Sequence, residues 1–108
     1  MKTTAKIIAA AAFVAIALPA AAAGDAEAGK KKSAPCQACH GTNGMSVSPE
    51  FPNLAGQHRE YLEHVLHHYK NGRRKNPIMT GQVANLTERD IADLAAWFSS
   101  QQGLNVKY

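Results

Sequence analysis

Beyond Cys36 and Cys39 the 108-residue chain has no cysteine, which excludes a four-cysteine zinc site. It has no stretch with the alternation of a β-strand and no internal repeat. Its longest uncharged apolar run, "IIAAAAFVAIALP", is short and rich in alanine, whereas a bilayer span needs about 20 predominantly apolar residues. A strong excess of positive charge is also missing. The formal charge is +4, and +2 without Lys2 and Lys6. That is mildly basic, short of the footprint of a nucleic-acid binder.

The apolar run has a context of its own. "MKTTAK" places Lys2 and Lys6 before it, and Ala21 and Ala23 follow at A-x-A spacing. A basic start, a short apolar core and small residues at a cleavage position describe a secretory signal peptide over residues 1–23. Residues 24–108 are then one small domain, a size at which a metal, a disulfide or another staple is commonly needed.

The helical signals fall in three places. "GDAEAGKKKSA" (24–34) has Asp25 and Glu27 at its start and Lys30, Lys31 and Lys32 near its end, as the helix dipole prefers, with Pro35 at its limit. "HREYLEHVLHHYKNG" (58–72) repeats Tyr61, Leu62, Val65, Leu66 and Tyr69 at spacings of three and four. "LTERDIADLAAWFSSQQG" (86–103) can be capped by Thr87 with Asp90 closing a capping box. Its apolar stripe is Ile91, Leu94, Ala95 and Phe98. Residues 41–57 and 73–85 read as long irregular loops. The expected domain is all-α, with three main helices and two long loops. Three short helices bury too little to offset the ordering of so much loop, so a large apolar cofactor is expected at the centre.

"CQACH" (36–40) carries the chemistry. A redox dithiol normally accompanies a βαβ pattern, and no strand is present. A disulfide between Cys36 and Cys39 closes too small a loop to stabilise much. A Cys₂His₂ zinc site survives simple counting, because the chain has five histidines. C-x-x-C-H is also the attachment pattern of c-type haem. Its spacing lets two thiols from one turn of chain reach neighbouring vinyl groups, and His40 then lies where an imidazole nitrogen meets the iron.

A second axial ligand is expected on the other face. Met45 is five residues after His40, at most about 17 Å of extended chain, too short a path around the ring edge. Met79, in "NPIMTG", lies far along the chain, with Pro77 stiffening its approach. His58, His64, His67 and His68 are the rival ligands, and they also read as solvent-facing residues. His64 and His68 share one helix face at a spacing that suits a surface metal.

Taken in order, "CQACHG", "FPNLAGQ", "YLEHVLHHYKNGRR", "NPIMTG" and "LTERDIADLAAWFSSQ" resemble the class I c-type cytochromes, specifically small bacterial monohaem members of the c-553 or c4-like kind. The resemblance covers nearly all of residues 24–108. It implies a cytochrome c fold in which the N- and C-terminal helices cross. It implies one haem c held covalently by Cys36 and Cys39, with iron ligated by His40 and Met79. It implies that the carbonyl of Pro52 accepts a bond from the His40 ring, that Leu54 packs on the ring, and that Leu94 and Trp97 touch the first helix and the haem. Some relatives carry an aromatic residue four before the first cysteine. Here that residue is Lys32, so the helix crossing rests on Gly29 and the alanines.

A six-coordinate iron leaves no position for substrate, so the expected role is electron transfer in the periplasm and not catalysis. Arg73, Arg74 and Lys75 form a basic patch for docking onto an acidic redox partner, or a solvated charge run. The alternatives are a haem peroxidase or gas sensor with an open sixth position, and a zinc-dependent interaction module.

Overall fold

The computed structural model describes residues 2, 4–16 and 23–103. Among them there are five helices and no strand. They are α1 (Ala26–Lys32), α2 (Ala34–His40), α3 (Arg59–Lys70), α4 (Pro77–Val83) and α5 (Glu88–Ser99). None is long and apolar enough to cross a membrane. Residues 4–16 carry no helix and lie exposed, with Phe13 99% accessible. The expected cleavage after Ala23 abuts residues 17–22, which lie outside the described residues, as do residues 104–108.

α1, α3 and α5 occupy the three stretches with helical signals. At α1 the Asp25 side chain accepts from the Glu27 and Ala28 N–H groups at 2.9 and 3.2 Å. At α5 the expected capping box forms, with Asp90 N–H donating to the Thr87 hydroxyl at 3.1 Å and Thr87 N–H to the Asp90 carboxylate at 2.9 Å. Leu62, Leu94, Ala95 and Phe98 make the core between α3 and α5, with Cys36, Leu54, Leu66, Leu86 and Trp97 packed around them.

Two short helices fall where loops or breaks were expected. Pro35, taken as the limit of the first helix, stands in the first turn of α2. A proline is tolerated there because the helix does not use its missing N–H. α4 lies inside the stretch read as a second loop, residues 73–85. At seven residues it is too short to show a period, and Gly81 lowers its propensity.

α1 crosses α5 at backbone contact. A Cβ on Gly29 would lie 1.9 Å from the Asp93 carbonyl oxygen, so no larger residue fits without separating the helices. The same crossing buries Asp93, which is 1% exposed. Its carboxylate accepts from Lys32 Nζ at 2.6 Å and from the Asp25 N–H at 2.8 Å, with Arg89 Nε 3.4 Å away. Lys32 also reaches Asp90 at 2.8 Å. Lys32 therefore ties α1 to α5 electrostatically. Burial pushes the Asp93 carboxyl up, but Lys32, the Asp25 N–H and Arg89 together hold it below the usual range. Lys32, then the Thr87 N–H and hydroxyl, lower Asp90 to about 2.

Both carboxyls are depressed in the folded state, so their contribution is present above the unfolded value, about pH 4, and is lost as pH falls through the folded value. Asp93→Ala leaves the Asp25 N–H and Lys32 without this acceptor. It is expected to cost about 1–3 kcal/mol in urea melts at neutral pH, and the loss of stability between about pH 4 and 2 should become shallower. An acid melt as steep as that of the unaltered protein would contradict this role.

Candidate functional site

Helical spacing explains the Cys-x-x-Cys-His group. α2 carries Cys36, Cys39 and His40, and separations of three and four place them on one helix face. Gly41, at φ +81°, ends the helix directly after His40; a Cβ there would meet the Met45 carbonyl oxygen at 2.0 Å. The loop of residues 41–57 then folds back on itself. The Gly44 carbonyl accepts from the Leu54 and Ala55 N–H groups at 2.7 and 3.1 Å, and the Asn53 side chain accepts from the Ser46 N–H at 2.7 Å. This places the Pro52 carbonyl 2.8 Å from His40 Nδ1. A carbonyl only accepts, so Nδ1 carries the proton and Nε2 keeps its lone pair for a metal. The expected Pro52–His40 bond is present.

Met79 arrives from α4. Asn76 caps that helix, its Oδ1 accepting from the Ile78 and Met79 N–H groups at 3.0 and 3.1 Å. Pro77 occupies the first turn. Met79 thus stands on a capped helical turn and not in an irregular loop. "Asn-Pro" was the signal for that helix, a capping residue followed by a proline pre-set for the first position.

These residues share one cavity of about 400 Å³, within the usual range for a cofactor site. Cys36, Cys39 and His40 line it from α2, Met79 from α4, and Leu94, Ala95 and Phe98 from α5. Leu62, Val65 and Leu66 of α3 and Leu54 of the loop add apolar wall. Met45 does not line it, and neither do His58, His64, His67 or His68. His67 instead lies 3.2 Å from Glu88, His58 stands at the N-terminus of α3, and the His64 and His68 rings face each other with centroids 3.8 Å apart. Burial and His64, followed by Arg73 and Arg74, hold the His68 imidazolium below its usual range.

The two expectations for α5 separate. Leu94 lines the cavity, whereas Trp97 lies on the α1 side, where Lys30 Nζ is 5.4 Å from its ring and a Gly29 Cβ would meet its Cβ. The basic patch separates too. Arg74, exposed like its two neighbours, also lines the cavity, a placement that a run of three basic residues does not signal.

The competing chemistries fare worse. Burial, with Cys39 adding to it, pushes the Cys36 thiol up, whereas a redox dithiol has its attacking thiol lowered. Among the described residues no three His, Cys, Asp or Glu side chains gather to hold a metal ion, so a Cys₂His₂ zinc site has no further ligands in place. Two free thiols, an imidazole with an oriented lone pair and a thioether, converging on an apolar cavity, fit a haem.

A family model described as Cytochrome c matches residues 26–102. The chain belongs to the cytochrome c family. Cytochrome c4 of Pseudomonas aeruginosa is 52% identical over 81 residues, covering 75% of this chain and 40% of that protein. Cytochrome c-554(548) of Halomonas halodenitrificans is 47% identical over 83 residues, covering 74% of this chain and all of that protein. Among solved structures, reduced recombinant cytochrome c4 from Pseudomonas stutzeri superposes with a TM-score of 0.73 at 47% identity, covering 76% of this chain and 48% of that one. The chain therefore spans half or less of the length of the cytochrome c4 relatives. The family is all-α, and its cofactor is haem c with iron.

Asn76→Ala is expected to remove the cap of α4 at a cost of about 1 kcal/mol. Amide exchange in residues 77–83 should quicken, while exchange in α5 stays the same. Equal quickening of both helices would show that Asn76 does not act locally on Met79.

Proposed function

We propose that the chain is an exported electron carrier of the periplasm, with residues 1–23 a cleaved leader and residues 24–108 a monohaem domain. The carrying observation is the convergence of Cys36, Cys39 and His40 from α2 and Met79 from α4 on one apolar cavity. Bound there, a haem supplies one-electron chemistry between ferrous and ferric iron. Cys36 and Cys39 would hold it covalently through their sulfurs. His40, oriented by the Pro52 carbonyl, would offer Nε2 to the iron. Met79 would offer its sulfur to the same iron.

Two side chains that would bind the iron, His40 and Met79, argue against peroxidase or gas-sensing chemistry, which needs a position left open for substrate. Leu54, Leu62, Leu66, Leu94 and Phe98 exclude water and lower the local dielectric. That disfavours the extra positive charge of the oxidised state, and a methionine ligand favours the reduced state further. Arg73, Arg74 and Lys75, all exposed, carry the docking charge toward an acidic redox partner. Arg74 also lines the cavity.

Protein made in a haem-maturing host should give a c-type pyridine haemochrome spectrum that survives acid-acetone extraction. Met79→Ala should abolish the methionine–iron absorption band of the ferric form and admit cyanide rapidly. An unchanged band in that variant overturns the ligand assignment.

The rate of electron exchange with an acidic partner should fall as ionic strength rises. The double variant Arg73→Glu/Lys75→Glu should slow it at low salt and flatten the dependence. A rate indifferent to salt and to charge reversal removes the docking role of the patch.

A further inference from the structure

α3 carries two histidines that the cavity does not use. His64 and His68 stand one turn apart, a spacing that puts both on one helix face. Their ring centroids are 3.8 Å apart, with the planes tilted by 53°. Neither ring lines the cavity, to which α3 presents Tyr61, Leu62, Val65, Leu66 and Tyr69. His64 is exposed and His68 half-buried, so the pair is open to solvent. Among the described residues neither imidazole has a hydrogen-bond or ion-pair partner. His40, in contrast, is held by the Pro52 carbonyl, and His67 lies 3.2 Å from Glu88.

Neutral imidazole is a favoured ligand of the late first-row metals. Two metal–nitrogen bonds of about 2.0–2.1 Å at right angles hold their nitrogens about 3 Å apart. Rings already 3.8 Å apart need only small rotations to meet that spacing. The helix backbone holds both side chains in place, so a second bond follows the first at high effective concentration. The surrounding charges choose among the metals. Burial, then His64, Arg73 and Arg74, lower the proton affinity of His68 and favour the neutral form that a metal requires. The same arginines repel a cation held by charge alone. The carboxylates of α3, Glu60 and Glu63, are both paired with Arg59, and Glu88 is paired with His67. Mg²⁺ and Ca²⁺, which take oxygen ligands, therefore find no free carboxylate beside the pair. Among the described residues no third His, Cys, Asp or Glu joins it, so a closed structural zinc cage is excluded as well. An open two-point chelate, completed by water, is what the pair can form.

We propose that His64 and His68 form a surface chelate for a late first-row divalent metal, outside the cavity, with Cu²⁺ bound more tightly than Ni²⁺ or Zn²⁺. The site shares no residue with the four that would hold a haem and does not rest on that reading. His67 is engaged by Glu88, and His58 stands at the N-terminus of α3, more than one turn from His64, so neither is a ligand. A bound ion ties one turn of α3 together and stabilises the folded chain over the unfolded one.

The test is a titration of the full chain with Cu²⁺ and with Ni²⁺, followed by calorimetry. The protein is made in the haem-maturing host, kept oxidised, and any free thiols are alkylated first. The tightest site should hold one ion per chain, and electron paramagnetic resonance of the Cu²⁺ form should show two equatorial nitrogens. His64→Gln and His68→Gln should each weaken that site by roughly 100-fold, the loss of one arm of a chelate. His58→Gln and His67→Gln should leave it unchanged, and Mg²⁺ and Ca²⁺ should not compete. Saturating Cu²⁺ should raise the melting midpoint of the unaltered protein and leave that of His64→Gln/His68→Gln in place. Equal affinity in the double variant overturns the proposal. So does a loss confined to one of the two single variants, an equal loss in His67→Gln, or displacement by Mg²⁺. Failure of the haem reading is seen elsewhere, as the absence of covalent haem in the pyridine haemochrome test, and leaves the outcome of this titration intact.

Discussion

The backbone contact between α1 and α5 at Gly29 sets the rest of the molecule. Because Gly29 has no Cβ, the two helices touch main chain to main chain, and Asp93 is driven into a place where its carboxylate must be fully partnered. Lys32, the Asp25 N–H and Arg89 supply those partners from both helices. α2 follows α1 after the single residue Ser33, whose hydroxyl donates to the Lys30 carbonyl at 2.7 Å and accepts from Gln37 at 3.0 Å. The angle at which the Cys-x-x-Cys-His face meets the cavity therefore depends on where α1 sits on α5. The electrostatic clasp is remote from the chemistry, yet it orients the helix that carries it.

From that anchor the cavity is assembled by elements with little core of their own. α3 packs on α5 through Leu62 and Leu66, and α4 hangs from α3. Lys70 of α3 hydrogen-bonds the Leu86 carbonyl just before α5, which closes the segment around α4. The loop of residues 41–57 is ordered by hydrogen bonds among its own residues and by Gly56 N–H donating to the Phe98 carbonyl at 3.0 Å. A large flat apolar ligand in the cavity would pack on the apolar side chains that line it, and its binding would then stabilise the fold through the same leucines and Phe98.

The long helices were legible because their signals are periodic or local. The Tyr61 to Tyr69 stripe, the Thr87–Asp90 box and the Asp25 cap each state a helix within a few residues. The Cys-x-x-Cys-His spacing was legible for the same reason, since one turn of chain contains the whole motif. What stayed hidden lacks either period or locality. α2 was masked by a proline that normally marks a helix limit, and α4 by its length and Gly81. The role of Lys32 depends on Asp93, 61 positions away, which no local pattern announces. Trp97 and Leu94 stand three apart on one helix, yet only Leu94 reaches the cavity, because the α1 crossing claims the other side of α5.

Arg74 shows the same limit at a residue of the cavity wall. In sequence it is the middle of Arg73-Arg74-Lys75 and cannot be told from its neighbours. Its direction is decided by the end of α3, where the chain turns at Gly72, with φ +80°, and the Arg74 N–H returns to the His68 carbonyl. That return lays the guanidinium on Tyr69 of the preceding helix, while Arg74 stays as exposed as Arg73 and Lys75 on either side of it. One turn of backbone thus sets Arg74 against Tyr69 and beside the cavity, which neither of its basic neighbours lines. In the docking role proposed for this run, charge acts through a long-range field that salt screens over about 10 Å, so ionic strength should weaken partner encounter.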